Sequence, residues 1–134
     1  MTSPTVGIVV VSHSSALAEG LAALSREMAG PDVPVEPAGG RADGGLGTDE
    51  DQVKAALVRA DGGDGVVVLA DLGSSILTVR HLLEGNGNGA GERVRLVDAP
   101  LVEGAIAAAV VSSAARPLDE VVSAAEEARG ASKL

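Results

Sequence analysis

Val6-Gly7-Ile8-Val9-Val10-Val11-Ser12-His13-Ser14-Ser15 decides how this chain folds. Apolar, mostly β-branched residues run without a break to Val11 and then give way to a polar tetrad with a histidine at its second position. An amphipathic segment follows at once. Such a run reads as a strand buried on both faces, and hence central in a parallel sheet. The tetrad then stands at the strand's carboxyl end, where open α/β sheets bind ligands. His13 is the candidate working residue.

The 134 residues suit one compact domain, and the chain is read as a single unit, 1–134. It holds no apolar span of membrane-crossing length. Met1-Thr2-Ser3-Pro4 carries no basic region before its short apolar run, unlike a signal peptide. With no cysteine there is no disulfide framework, thiolate chemistry or cysteine-based zinc site, and the expected location is cytoplasmic. A formal net charge of −9 argues against nucleic acid and against anionic membrane surfaces. The absence of Phe, Tyr and Trp removes the usual stacking platforms for bases. The core must be built from Val, Leu, Ile and Ala, whose periodicity is too regular for disorder.

Outward from the opening strand (Val6–Val11), helix one is expected over Ala16–Ala29, with Leu17, Leu21, Leu24 and Met28 on one face. Ser14 or Ser15 caps its start and Gly30-Pro31 stops it. Val33–Ala38 reads as an edge strand, because Pro34 and Pro37 cannot serve both sides of a sheet. A glycine-rich loop, Gly39–Gly47, leads to a second helix capped by Thr48 or Asp49, with Val53, Ala56, Leu57 and Ala60 inward. After a turn at Asp61–Asp64, Gly65–Ala70 repeats the character of strand one. It too ends in a polar cluster, Asp71-Leu72-Gly73-Ser74-Ser75. Helix three covers Ser75–Glu84, and a low-complexity connector spans Gly85–Gly91. Strand four is Val94–Val97, placed on the second edge because Arg95 interrupts its apolar run. Helix four, Leu101–Ala114, is apolar or small nearly all round, which predicts burial on more than one side. Glu103 falls in its first turn, where the dipole favours an acid. Helix five begins at Pro117, with Leu118, Val121, Val122 and Ala125 inward.

Alternating strands and helices predict an α/β fold: an open parallel sheet with right-handed crossovers and helices on both faces. Two central and two edge strands give the order 2-1-3-4. Strand order reverses between strands one and three, so the crevice at their carboxyl ends is the topological switch point. His13 and Asp71 meet there. A carboxylate bonded to one ring N–H fixes the imidazole tautomer and leaves the other nitrogen as acceptor or nucleophile. Asp71 is expected to hold Nδ1–H of His13, with Nε2 facing outward. The hydroxyls of Ser14 and Ser15 and the amides opening helix one favour an incoming anion. The mobile glycine-rich loop ending in Gly47-Thr48 is expected to close over the site. Ser14, Ser15, Gly47, Thr48, Gly73 and Ser74 are therefore the candidate phosphate-binding positions. The combination suits a phosphoryl group resting on histidine without a metal.

Each of these residues also has a plain structural use. A histidine after a strand caps or lines a loop, Asp71 and Thr48 suit helix caps, and so do Ser14, Ser15, Ser74 and Ser75. His81 lies mid-helix and reads as a surface residue. No P-loop pattern occurs. Gly85-x-Gly87-x-x-Ala90 mimics a dinucleotide fingerprint but follows a helix and precedes a strand, the reverse of what that motif needs. Ser12-His13-Ser14 lacks the hydrolase nucleophile elbow. Two distant histidines do not make a metal site.

Val9–Ser15, Gly47-Thr48-Asp49, Asp71-Leu72-Gly73-Ser74-Ser75 and Ala99-Pro100-Leu101-Val102-Glu103-Gly104, in register along the whole chain, resemble the DhaM family, the phosphotransferase subunits of bacterial dihydroxyacetone kinase. That family is related to the mannose-type EIIA proteins of the phosphoenolpyruvate-dependent sugar phosphotransferase system. The resemblance implies a phosphotransferase with a phosphohistidine intermediate. His13 would accept phosphate from phospho-HPr and donate it to ADP on the DhaL subunit, which phosphorylates dihydroxyacetone held on DhaK. Asp71 matches the acid that pairs with the histidine in mannose-type relatives. The chain itself would bind no cofactor and would form a homodimer, with helix four part of the interface. Some family members carry HPr-like and enzyme-I-like domains after this one. With no linker visible before Leu134, HPr is expected in trans. Two other readings stay open: an EIIA component of a mannose- or fructose-type transporter, against which Asp71-Leu72-Gly73-Ser74-Ser75 argues because that branch usually has Gly-Gly and a proline there, and a non-catalytic regulatory module switched by phosphohistidine. A phosphate-receiver domain is disfavoured, since strand one ends in His13 rather than an acidic cluster.

Overall fold

The computed structural model describes residues 5–85 and 93–134. Met1–Pro4 and the connector beyond Gly85, with its fingerprint-like glycines, lie outside the described residues. Four strands, β1 (Gly7–Ser12), β2 (Val35–Gly39), β3 (Val66–Ala70) and β4 (Val94–Leu96), alternate with helices α1 (Ser15–Ala29), α2 (Glu50–Ala60), α3 (Gly73–Gly85) and α4 (Leu101–Ser113). Helix α5 (Leu118–Glu127) closes the series and runs into a 3-10 turn, Ala128–Gly130. The sheet is all parallel in the order β2-β1-β3-β4, as the sequence predicts.

The two central strands are buried along their whole length, and their alternation separates two cores. Val6, Ile8, Val10, Val67 and Leu69 face α1, α4 and α5. Val9, Val11, Val66, Val68 and Ala70 face α2 and α3. A run that looks continuous in sequence is therefore two period-two stripes, each with its own helical layer. Pro37 pairs with Val10 from β2, an edge strand whose outer side needs no ladder.

Helix α1 departs from its expected face. Leu17, Leu24 and Met28 are 45%, 48% and 56% exposed, while Ala18, Leu21, Ala22 and Ser25 are buried. The reason is close approach. A Cβ on Gly39 would stand 2.8 Å from the Ala18 Cβ and 2.5 Å from the Ser14 carbonyl oxygen, so the face against β2 must be small. The leucine count pointed to one stripe and the backbone spacing selects its neighbour. Helix α2 buries Val53, Ala56, Leu57 and Ala60 as predicted, and Asp49 rather than Thr48 is its N-cap. Pro117 is the N-cap of α5, not its first helical residue.

Helix α4 buries Gly104, Ala105, Ala108, Ala109 and Ser112, while Val102 and Val110 remain exposed. The Ser112 hydroxyl donates to the Val6 carbonyl at 2.6 Å, fixing α4 to the entry of β1. On the other side, α2 ends hard against β1: a Cβ on Gly7 would lie 2.0 Å from the Ala60 carbonyl oxygen. Gly7→Ala must push α2 outward or bend β1. It is expected to lower unfolding stability by ~1–3 kcal/mol, read as a lower urea midpoint with an unchanged m-value.

Candidate functional site

The parallel register sets Val11 beside Ala70, so β1 and β3 release their chains side by side into the crevice. The Asp71 amide extends the ladder by one bond, donating to the Val11 carbonyl at 3.1 Å. From there the Asp71 carboxylate collects four donors. The Ser12 hydroxyl reaches Oδ2 at 2.8 Å and the His13 amide reaches it at 3.0 Å. The Leu72 amide reaches Oδ1 at 2.7 Å, and His13 Nδ1 lies 2.9 Å from the same oxygen. Burial pushes the Asp71 carboxyl up, but the His13 amide, Ser12 hydroxyl, His13 ring and Leu72 amide outweigh it and hold the carboxyl down at about 2.

An ionised carboxylate only accepts hydrogen bonds, so Nδ1 of His13 carries a proton, and in the neutral ring Nε2 is then the nitrogen with the lone pair. The Ser74 hydroxyl stands against Nε2, where it donates to that lone pair. The Ser75 hydroxyl lies 3.2 Å from Nδ1 on the other side of the ring. The ring is thus gripped at its inner nitrogen and met at its outer one by a single hydroxyl. Its side chain is 26% exposed, against 14% for Asp71, so the carboxylate is the more enclosed half of the pair.

The remaining predicted positions divide. Ser14 caps α1, its Oγ accepting from the Leu17 amide at 3.2 Å, and Ser15, exposed, is the first residue of α1. Gly73 opens α3 beside Ser74. Gly47 is already occupied, its amide donating to the His13 carbonyl at 2.9 Å. Thr48 reaches the ring through an intermediary, with Oγ1 lying 2.7 Å from Ser75 Oγ. The glycine-rich loop expected to close over the site is anchored to it at both ends, since the Gly40 amide also donates to the Ser12 carbonyl at 3.3 Å.

Two contributors lie outside the expected set. Ser12 and Ser75 are both fully buried, and each hydroxyl is bonded within the site. Both stood in the polar clusters closing β1 and β3. What marks Ser12 is its place as the last residue of a wholly buried strand, where a hydroxyl must find a partner.

The family model for the PTS system fructose IIA component, EIIA-man, matches residues 7–122. The phosphoryl donor subunit DhaM of PEP-dependent dihydroxyacetone kinase 2 from Listeria innocua is 37% identical over 107 residues, covering 80% of this chain and 86% of that protein. The DhaM phosphotransferase subunit of PTS-dependent dihydroxyacetone kinase from Lactococcus lactis is 31% identical over 117 residues, covering 87% and 90%. Its counterpart from Escherichia coli K12 is 37% identical over 128 residues, 87% of this chain but 25% of that protein. The chain therefore spans about a quarter of the length of such longer relatives. A solved structure of a protein of unknown function matches with a TM-score of 0.83 and 30% identity, over 92% of this chain and 94% of that one. A sigma-54 interaction domain protein from Enterococcus faecalis shares the fold, with a TM-score of 0.70 and 16% identity over 96% and 93%.

The depressed Asp71 pKa links this site to stability. A carboxyl whose pKa is lower in the folded chain than its ordinary 3.8 stabilises fully above about pH 4, and that contribution is lost as pH falls toward 2. Acid titration of unfolding stability is expected to fall more steeply in the wild type than in Asp71→Asn. The difference between the two curves should change across that window by on the order of 2 kcal/mol.

Proposed function

Because the chain belongs to the DhaM family of phosphoryl donor subunits, built on an EIIA-man domain, we propose that it is a histidine phosphocarrier whose working atom is Nε2 of His13. The observation that carries this reading is the bonded series Asp71–His13–Ser74, which in the neutral ring leaves Nε2 as the unprotonated nitrogen, facing the Ser74 hydroxyl at a partly exposed edge. The proposed donor is phospho-HPr. The proposed acceptor is ADP bound on DhaL, from which dihydroxyacetone held on DhaK receives the group.

The steps balance without an added acid or base. The Nε2 lone pair attacks phosphorus as the donor's P–N bond breaks. Nδ1 keeps its proton, and the positive charge that develops on the ring is met by the ionised Asp71. Ser74 gives up its bond to Nε2 and donates to a phosphoryl oxygen instead. The opening amides of α1 and α3, with Ser14, Ser15 and Gly73 at the two helix starts, supply partial positive charge for the anion. In the return step an oxygen of the ADP β-phosphate attacks, the Nε2–P bond breaks and the neutral ring is restored. Gly47 and Thr48 are left to hold the site's frame rather than the phosphate. We assign the contact of the proposed homodimer to α4, where Val102 and Val110 stay exposed.

Reconstitution tests the reading. With phosphoenolpyruvate, enzyme I, HPr, DhaK and DhaL, the wild-type chain is expected to support formation of dihydroxyacetone phosphate, and His13→Ala to abolish both product and acid-labile labelling of the chain. Label retained on His81 would overturn the assignment. Phosphorylation of the chain without product would favour a sugar-transporter or regulatory role.

A further inference from the structure

Ser75 has a hydroxyl that the carrier step does not use. It is wholly buried in the first turn of α3, a position where serine commonly caps the helix. Here that need is met otherwise, because the Leu72 carbonyl accepts from the Ser75 and Ile76 amides at 3.0 and 3.2 Å. The hydroxyl instead lies between two groups, Thr48 Oγ1 at 2.7 Å and His13 Nδ1 at 3.2 Å.

We infer that Ser75 is a positioning residue for His13 and that Thr48 acts on the ring through it, so that two hydroxyls relay the placement of the 40–48 loop to Nδ1. The direction of the bonds follows from the donors available. Nδ1–H is already claimed by ionised Asp71, so Ser75 Oγ shares that proton as a second acceptor, in a three-centre bond. The Ser75 proton must then point elsewhere, and Thr48 Oγ1 is the acceptor in line for it. Thr48 is itself held in place. Gly40 pairs with it as a parallel bridge, the neighbouring Gly47 amide is bonded to the His13 carbonyl, and the Gln52 side-chain amide donates to the Gly40 carbonyl at 3.2 Å. The loop thus reaches His13 twice, through the backbone at its carbonyl and through the hydroxyls at its ring. A second acceptor on Nδ1–H restricts rotation of the imidazole about its Asp71 bond and keeps the lone pair of Nε2 aimed outward.

The inference rests on the carrier reading for its rate measurement and on nothing but the ring for its spectroscopic one. Thr48→Val, Ser75→Ala and the double variant form a cycle, with Thr48→Ser as the conservative control. In each, the ring nitrogens of His13 are followed by ¹⁵N NMR, and labelling from phosphoenolpyruvate through enzyme I and HPr is timed. Loss of one neutral hydrogen bond corresponds to roughly a fivefold slower transfer. Each single variant is expected to show that loss and a shifted Nδ1 resonance. The double variant should be no worse than Ser75→Ala, and Thr48→Ser should behave as wild type. Additive losses in the double variant, or unchanged rate and Nδ1 resonance in the singles, would overturn the relay. If Ser75→Ala does not fold, the contrast between Thr48→Val and Thr48→Ser in the Nδ1 resonance decides. A wild-type chain that takes no label would sink the carrier reading while the ring spectra still judged the relay.

Discussion

The hydrogen bond between His13 Nδ1 and Asp71 Oδ1 is the constraint on which the site depends, and it is a consequence of strand order. The two residues are distant in sequence and meet because β1 and β3 are neighbours in the middle of a parallel sheet. Had the crossover placed β3 away from β1, the Asp71 carboxylate would not reach the His13 ring. Everything behind the pair serves to hold it in place. Ser12 closes one carboxylate oxygen, the Leu72 amide closes the other, and the strands beneath are sealed by two helical layers.

Composition shapes how this is achieved. A core without aromatic residues fills its volume with small branched side chains, so helices sit close to the sheet. Gly7 and Gly39 register that closeness, each with a carbonyl oxygen where a Cβ would stand. Close packing of α1 on β2 brings the start of α1 against the end of β2. The Ser14 carbonyl then lies against Gly39, and the Gly47 amide reaches the neighbouring His13 carbonyl at 2.9 Å. The precision of the site therefore derives from glycine and alanine in the layers beneath it as much as from the polar residues at its rim.

Much of this was legible in the sequence. The valine runs before His13 and before Asp71 announced two central strands, prolines marked one edge, and the order 2-1-3-4 followed. From that order came the meeting of His13 and Asp71, through Nδ1 of the ring. What the sequence could not carry was distance. The leucines of α1 satisfied helical spacing, yet the close approach to Gly39 puts Ala18 against β2, and of the expected face Leu21 is buried while Leu17, Leu24 and Met28 turn outward. Thr48 and Gly47 lay near the site by motif, but only the fold shows their polar groups spent on Ser75 and on the His13 carbonyl. Ser75 looked like a cap because a buried hydroxyl and a capping hydroxyl have the same local sequence. Only their partners separate them.

A carrier has a requirement that an ordinary catalyst lacks, because the group it accepts must remain easy to remove. Many strong donors fixed around the outer nitrogen would stabilise the phosphorylated form and slow the second transfer. The arrangement around His13 answers this by its asymmetry. The inner nitrogen is held by Asp71, with Ser75 beside it, and keeps the same partners throughout the proposed cycle. The outer nitrogen meets the Ser74 hydroxyl, which on the proposed reading would exchange a lone pair for a phosphoryl oxygen and lose little in doing so. On that reading a comparable Ser74 bond is made before and after, so this hydroxyl adds little bias of its own to either state.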